Sequence, residues 1–179
     1  MTDEDFQWFA LEMYHRGAGL VIKDANINKL ARMVRIRAPY KIVLTNGVFG
    51  GQGITPGQAW SIVYAYGLGR RPCSVVVFVA LASDRVARDL KPYPVPPWEQ
   101  RALAIVPMLR YNLGFVFEWD EPTVERAILE VEPDYWVKGG DRTIDDLDEG
   151  EKKAAEEVGA QIILVPELPL PHVSDTILS

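Results

Sequence analysis

Cysteine is almost missing from this chain: Cys73 is the only one in 179 residues. One thiol excludes an internal disulfide framework and a cysteine-based metal site, and it suits a reducing compartment. Histidine is scarce too, with His15 and His172 alone. Positive charge is in deficit, 19 Lys+Arg against 25 Asp+Glu for a net charge of −6. With no basic run, neither a nucleic acid nor a membrane surface is an expected partner. No apolar stretch reaches the roughly 18 residues of a membrane span. The acidic start "MTDEDFQWFALEMYHRG" has neither the basic residues nor the apolar core of a signal peptide. These absences predict a cytoplasmic protein without a metal cage of its own.

What is present is a chain 48% hydrophobic, long enough for one well-buried domain with a small appendage. From Lys41 onward, β-branched runs alternate with helical patterns, as in βαβ units around a parallel sheet. Five runs read as strands, at 41–49, 74–82, 114–119, 134–139 and 160–166. They are apolar without alternation, which suits strands covered on both faces. Between them, "DEPTVERAILEVEP" has Pro122 in its first turn and ends before Pro133. "TIDDLDEGEKKAAEEVGA" offers Thr143 as N-cap and closes at Gly159. Residues 1–38 carry two helical patterns, "EDFQWFALEMY" and "NINKLARMVRI", and are expected to form an extension outside the sheet. Residues 39–179 are then the α/β domain.

In such sheets ligands bind beyond the carboxyl ends of the strands, where the strand order reverses. The run "TNGVFGGQGITPGQ" (45–58) leaves the first strand there and stops at a helix start near Pro56. Its glycines either present backbone N–H groups to an anion or simply widen the turn. "KGGDRT" after the fourth strand and "PELPLPHVSDT" after the fifth lie at the same end.

Taken in order, "KIVLTNGVF" followed by "PG", "ASDRVARDLK", "PPWEQRALAI", "EPTVERAILEVEPDYWVKGGD" and "VSDT" resemble the cytidylyltransferase-like nucleotidyltransferases. The resemblance is in particular to the adenylyltransferase domain of bacterial ADP-heptose synthase. It implies a Rossmann-like, doubly wound five-stranded parallel sheet in the order 3-2-1-4-5. It also implies an active site that joins a nucleoside monophosphate, AMP before CMP, to a sugar or polyol phosphate and releases pyrophosphate. Partners would be ATP or CTP and the phosphorylated acceptor, with Mg²⁺ carried by the NTP phosphates, and a homodimer is the default expectation.

The family loop has the form N-G-x-F-D-x-x-H-x-G-H. Matching on Pro56 and Gly57 puts Thr55 and Gln58 at the histidines and Gly50 at the Asp. By the same matching Lys91 and Arg101 are the phosphate-side cations. Thr55, Gln58, Lys91 and Arg101 are thus the implied catalytic set. The implied nucleotide contacts are Asn46, Gly47, Val48, Phe49, Gly57, Lys138, Gly139, Asp141, Ser174 and Thr176. Trp98, near Arg101, is a candidate to face the base or sugar, and His172 a candidate substitute cation.

The substitutions do not remove the chemistry. A phosphomonoester with a second pKa of about 6 is already a nucleophile at neutral pH. Alignment and charge stabilisation then do the rest. Gln58 keeps an N–H donor but no charge, a loss of about 1–2 kcal/mol, or roughly 5- to 30-fold in rate. The competing reading is a pseudoenzyme that binds nucleotide and acts through partner contacts, suggested by the lost histidines and the added Asp175 and Glu167.

Overall fold

The structure, a computed structural model, describes residues 20–22, 26–37, 40–50, 54–69, 75–109, 114–139 and 142–166. In chain order the elements are β1 (Leu20–Ile22), α1 (Ile27–Arg37), β2 (Lys41–Gly47), α2 (Pro56–Gly67), β3 (Val75–Ala82), α3 (Asp84–Leu90) and α4 (Trp98–Leu109). They continue with β4 (Gly114–Trp119), α5 (Glu125–Val131), β5 (Tyr135–Lys138), a 3-10 turn (Ile144–Asp146), α6 (Glu149–Glu157) and β6 (Gln161–Leu164).

All pairings are parallel, and the sheet order is β1-β4-β3-β2-β5-β6. The five expected strands therefore stand in the order 3-2-1-4-5. The sheet has a sixth strand besides: Leu20–Ile22 pairs with Phe115–Phe117 on the outer edge of β4. Part of the segment expected outside the sheet is thus inside it. The helix expected from "NINKLARMVRI" forms, and its Ile27, Leu30, Ala31 and Val34 are buried in the core at i, i+3, i+4, i+7 spacing. "EDFQWFALEMY" lies outside the described residues.

Strand period 2 divides the core. Ile42, Leu44, Val76, Phe78, Phe115, Phe117 and Trp136 face α1, α5 and α6, while Val43, Val77, Val79, Val116 and Val137 face α2 and α4. Every residue of β3 is buried. At roughly 1.5–3 kcal/mol for each large apolar side chain removed from water, this central strand anchors the sheet. At the amino end, Asp134 clips β5 beside β2, taking N–H groups from Lys41 Nζ at 2.6 Å and Ile42 N at 2.8 Å.

Two helix boundaries differ from the expectation. Pro122, expected in the first turn of its helix, lies before it, because α5 runs Glu125–Val131 with Val124 as its N-cap. Thr143 caps only the 3-10 turn, with its backbone and hydroxyl both donating to Asp146. The α-helix starts six residues later, where Asp148 takes the N–H groups of Gly150 and Glu151. An aspartate closer to the helix outcompetes the threonine as N-cap.

Candidate active site at the carboxyl ends of the strands

The strand order reverses between β2 and β5, so the crevice of this sheet lies at Asn46, Gly47, Lys138 and Gly139. β2 ends there because the backbone turns. Phe49 has φ 44°, a left-handed conformation that costs an L-residue about 1–2 kcal/mol. Its ring folds back over Gly47, where an added Cβ would sit 3.2 Å from Phe49 Cε2. Gly47 thus permits the turn, and burial of Phe49 in the α2–α4 core offsets its strain. Val48 is buried against Ala82, Val86 and Ala87, which seats α3 on the loop.

Thr55 and Gln58, the residues at the histidine positions, are bound to each other. Gln58 N–H donates to Thr55 Oγ1 at 3.3 Å, and Thr55 N–H donates to Gln58 Oε1 at 3.0 Å. This reciprocal capping box starts α2 with Pro56 in the first turn. The box uses the acceptor ends of both side chains, leaving the Thr55 hydroxyl hydrogen and the Gln58 NH₂ as donors. Gly57 is exposed, with open space where a Cβ would stand. Further along the helix, Trp60 Nε1 donates to Pro166 O at 3.2 Å and so holds the end of β6 beside α2.

Arg101 is placed differently from the expectation of a phosphate-side cation. Its side chain is 1% exposed. Nε donates to Pro96 O at 2.8 Å, one terminal nitrogen to Val48 O at 2.7 Å and the other to Asp84 Oδ1 at 2.8 Å. It fastens the loop after β2 to the start of α3 and to the proline segment before α4. Trp98 does not face a ligand either: it is buried, and Nε1 donates to Leu81 O at 3.3 Å. Lys91 closes α3 as its C-cap, with its backbone N–H donating to Ala87 O. Its ammonium has no ion-pair partner among the described residues, unlike Arg101.

Asn46 and Lys138 lie side by side on the face covered by α5 and α6, one position beyond the paired Thr45 and Val137. Asn46 Oδ1 accepts from Trp136 Nε1 and from Lys138 Nζ, each at 3.2 Å. Lys138 Nζ also stands 3.4 Å from Glu151 Oε2 and 4.7 Å from the Trp136 ring centroid. Sequence reasoning missed Glu151, a buried carboxylate on α6. Its only signal was an acidic residue among the alanines of the inward helix face. Asp141, Ser174 and Thr176, and His172 with them, lie outside the described residues.

A second feature was not legible in the sequence. Beyond β3 and β4 opens a cleft of about 500 Å³ lined in part by Ser83, Asp84, Arg85, Asp120, Arg126 and Glu130. Ser83 caps α3, accepting from Val86 N, and donates its hydroxyl to Asp120 Oδ1. That hydrogen bond, with the Arg85 guanidinium 3.2 Å away, holds the Asp120 carboxyl below its ordinary pKa. Asp84 belongs to both the cleft and the Arg101 clamp, so the two share a wall. Among the described residues, no three His, Cys, Asp or Glu side chains converge as a metal site. No helix among them is long and apolar enough to cross a membrane.

No family model matches the chain. Among curated proteins it is 33% identical over 129 residues to the bifunctional protein HldE of Cronobacter sakazakii, covering 71% of this chain and 25% of that protein. It is 34% identical over 123 residues to the HldE of Citrobacter koseri, covering 68% and 24%. With the HldE of Rhodopseudomonas palustris it shares 33% identity over 130 residues, covering 73% and 25%. The chain thus matches about a quarter of the length of these relatives. Among solved structures, the lipopolysaccharide core biosynthesis protein of Thermoplasma volcanium superposes with a TM-score of 0.53 at 21% identity, over 72% of this chain and 98% of that one, which shows a common fold. Its sheet order, its loop after the first strand of the βαβ series and its sequence together make this chain a homologue of the C-terminal, cytidylyltransferase-like region of the HldE proteins.

Proposed function

We propose that this protein is a nucleotidyltransferase of sugar biosynthesis, moving AMP from ATP to a sugar phosphate, with CTP and polyol phosphates as the alternative substrates. The observation that carries this reading is the position of "TNGVF" at the sheet's switch point, between Lys138 and the capped start of α2, in a chain homologous to HldE. A phosphate oxygen of the acceptor would form the new bond to the α-phosphorus. The bond from that phosphorus to the bridging oxygen would break, and pyrophosphate would leave with its electron pair.

The donors offered to the phosphates are the Thr55 hydroxyl, the Gln58 NH₂ and the Lys91 ammonium, with the N-terminus of α2 adding a partial positive charge. Gly47, Val48, Phe49, Gly57 and Gly139 contribute backbone and approach room. Arg101 acts by holding the loop rather than by touching phosphate. Mg²⁺ would arrive on the triphosphate and supply charge neutralisation there. Asp141, Ser174 and Thr176 remain part of the proposed nucleotide site on the strength of the resemblance. The test is pyrophosphate release from each NTP with Mg²⁺ and a panel of sugar 1-phosphates. Release with one pair identifies the reaction, and none with any pair sinks it.

A second reading, a nucleotide-binding pseudoenzyme, is favoured by one observation: both residues at the histidine positions are tied into a helix cap, and Arg101 has its donors spent inside the protein. Calorimetry showing micromolar NTP binding without turnover would support it. Turnover that collapses on Lys91→Ala would eliminate it.

A further inference from the structure

The two hydrogen bonds on Asn46 fix the direction of its amide. Both donors, Trp136 Nε1 and Lys138 Nζ, approach the same oxygen at 3.2 Å. Reversing the amide would set NH₂ against an indole N–H and an ammonium, forfeiting two hydrogen bonds for donor–donor contact. Nδ2 must therefore point the other way. Among the described residues it makes no hydrogen bond, and no buried side-chain nitrogen or oxygen lacks a partner. Nδ2 is therefore an accessible donor at the carboxyl end of β2, at the switch point.

Lys138 would not hold this position alone. Its side chain is 11% exposed, and an ammonium so enclosed needs a counter-charge. Glu151 supplies it. Its side chain is 8% exposed, and the carboxylate accepts Val124 N–H through Oε1 at 2.9 Å, while Oε2 faces Lys138 Nζ at 3.4 Å. The carboxylate is thus itself fixed, by the backbone at the start of α5 and by its own helix, which Asp148 caps. A relay of fixed groups runs from α5 and α6 through Glu151 and Lys138 to Asn46.

We propose that Glu151 is a positioning residue: through Lys138 it orients the Asn46 amide so that Nδ2 donates to the bound nucleotide. This rests on the nucleotide site proposed above. Glu151→Gln is the informative change, because glutamine keeps an oxygen for Val124 N–H and turns an NH₂ toward the ammonium, which removes the Glu151 counter-charge from Lys138. Two readouts are taken on the full chain. The first is the Asn46 side-chain NH₂ signal by ¹⁵N NMR without nucleotide, identified by its loss in Asn46→Ala. The second is Mg²⁺-ATP and Mg²⁺-CTP affinity by calorimetry.

In Glu151→Gln the NH₂ signal should shift or broaden, and nucleotide affinity should fall roughly 3- to 10-fold, the size of one neutral hydrogen bond. In an Asn46→Ala background the same change should leave affinity untouched, because the group it positions is gone. Parent-like NH₂ signals in Glu151→Gln, or equal affinity losses in both backgrounds, would overturn the proposal. If the parent binds neither nucleotide, the nucleotide-site reading fails by itself, and the NH₂ signal still decides whether Glu151 orients Asn46. Should Glu151→Gln not fold, Lys138→Met is read by the Asn46 NH₂ signal alone, because Lys138 is itself one of the implied nucleotide contacts.

Discussion

A Cβ built on Gly50 would lie 2.6 Å from Cδ of Arg101. Glycine stands at the position of the family's aspartate because the stem of a buried arginine fills the space a side chain would need. Gly50→Ala must therefore push Arg101 off at least one of its acceptors, Val48 O, Pro96 O or Asp84. We expect a loss of about 1–3 kcal/mol in chemical denaturation, the usual cost of overpacking. An unchanged midpoint would show that the loop yields freely.

Arg101→Lys keeps the charge and removes the fork. One ammonium cannot reach three acceptors on three segments, so carbonyls at Val48 and Pro96 compete for a single donor group. Stability should drop by roughly 2–4 kcal/mol. A variant that keeps parent stability but loses nucleotide affinity would return Arg101 to the phosphate-side role that the sequence implied.

Gln58→His restores the family histidine. It should raise turnover roughly 5- to 30-fold if a charged donor is what the site lacks. It also removes Gln58 Oε1 from Thr55 N–H, so the melting temperature should fall slightly while the rate rises. Single-turnover kinetics and a thermal melt on one preparation check both directions. A rate that stays flat while the cap weakens would favour the pseudoenzyme.

Ser83→Ala should change the acid limb of stability. Asp120 is held below its ordinary pKa first by the Ser83 hydroxyl and then by Arg85. A carboxylate depressed in the folded state stabilises above its unfolded pKa of 3.8, and that contribution disappears as pH falls through the lower folded value. Removing the hydroxyl lets the folded pKa rise toward the unfolded one. The gap between parent and variant should therefore be widest above pH 4 and narrow toward pH 2. What persists at low pH is the lost N-cap at Val86, which does not depend on Asp120. Equal gaps at both ends would mean that Asp120 gains nothing from Ser83.

The five strands of the βαβ series were legible because each is an apolar, β-branched run between helical patterns, and their order agrees with the family resemblance. Leu20–Ile22 was not, because three residues carry no usable period and the strand exists only by pairing with β4. The loop after β2 does lie at the switch point, where glycine, proline and the end of an apolar run mark a turn. The role of Arg101 was not legible: "WEQRA" says nothing of which way the side chain turns, and the fold turned it inward onto Val48, Pro96 and Asp84. Glu151 was hidden for a similar reason. An acidic residue in a helix rich in Glu and Lys looks solvated until its helix is laid across the sheet.

The sequence by itself determined the five strands from Lys41 onward, the helix stop at Gly159, and the loop that carries the candidate chemistry, because these depend on periodicity and on backbone preferences within a few residues. Only the tertiary structure decided which polar groups are spent inside the protein and which stay available. Arg101 reaches Val48 across 53 positions and Lys138 reaches Asn46 across 92. Burial at such separations sets whether a donor is spent or available, and no local pattern in the chain encodes it.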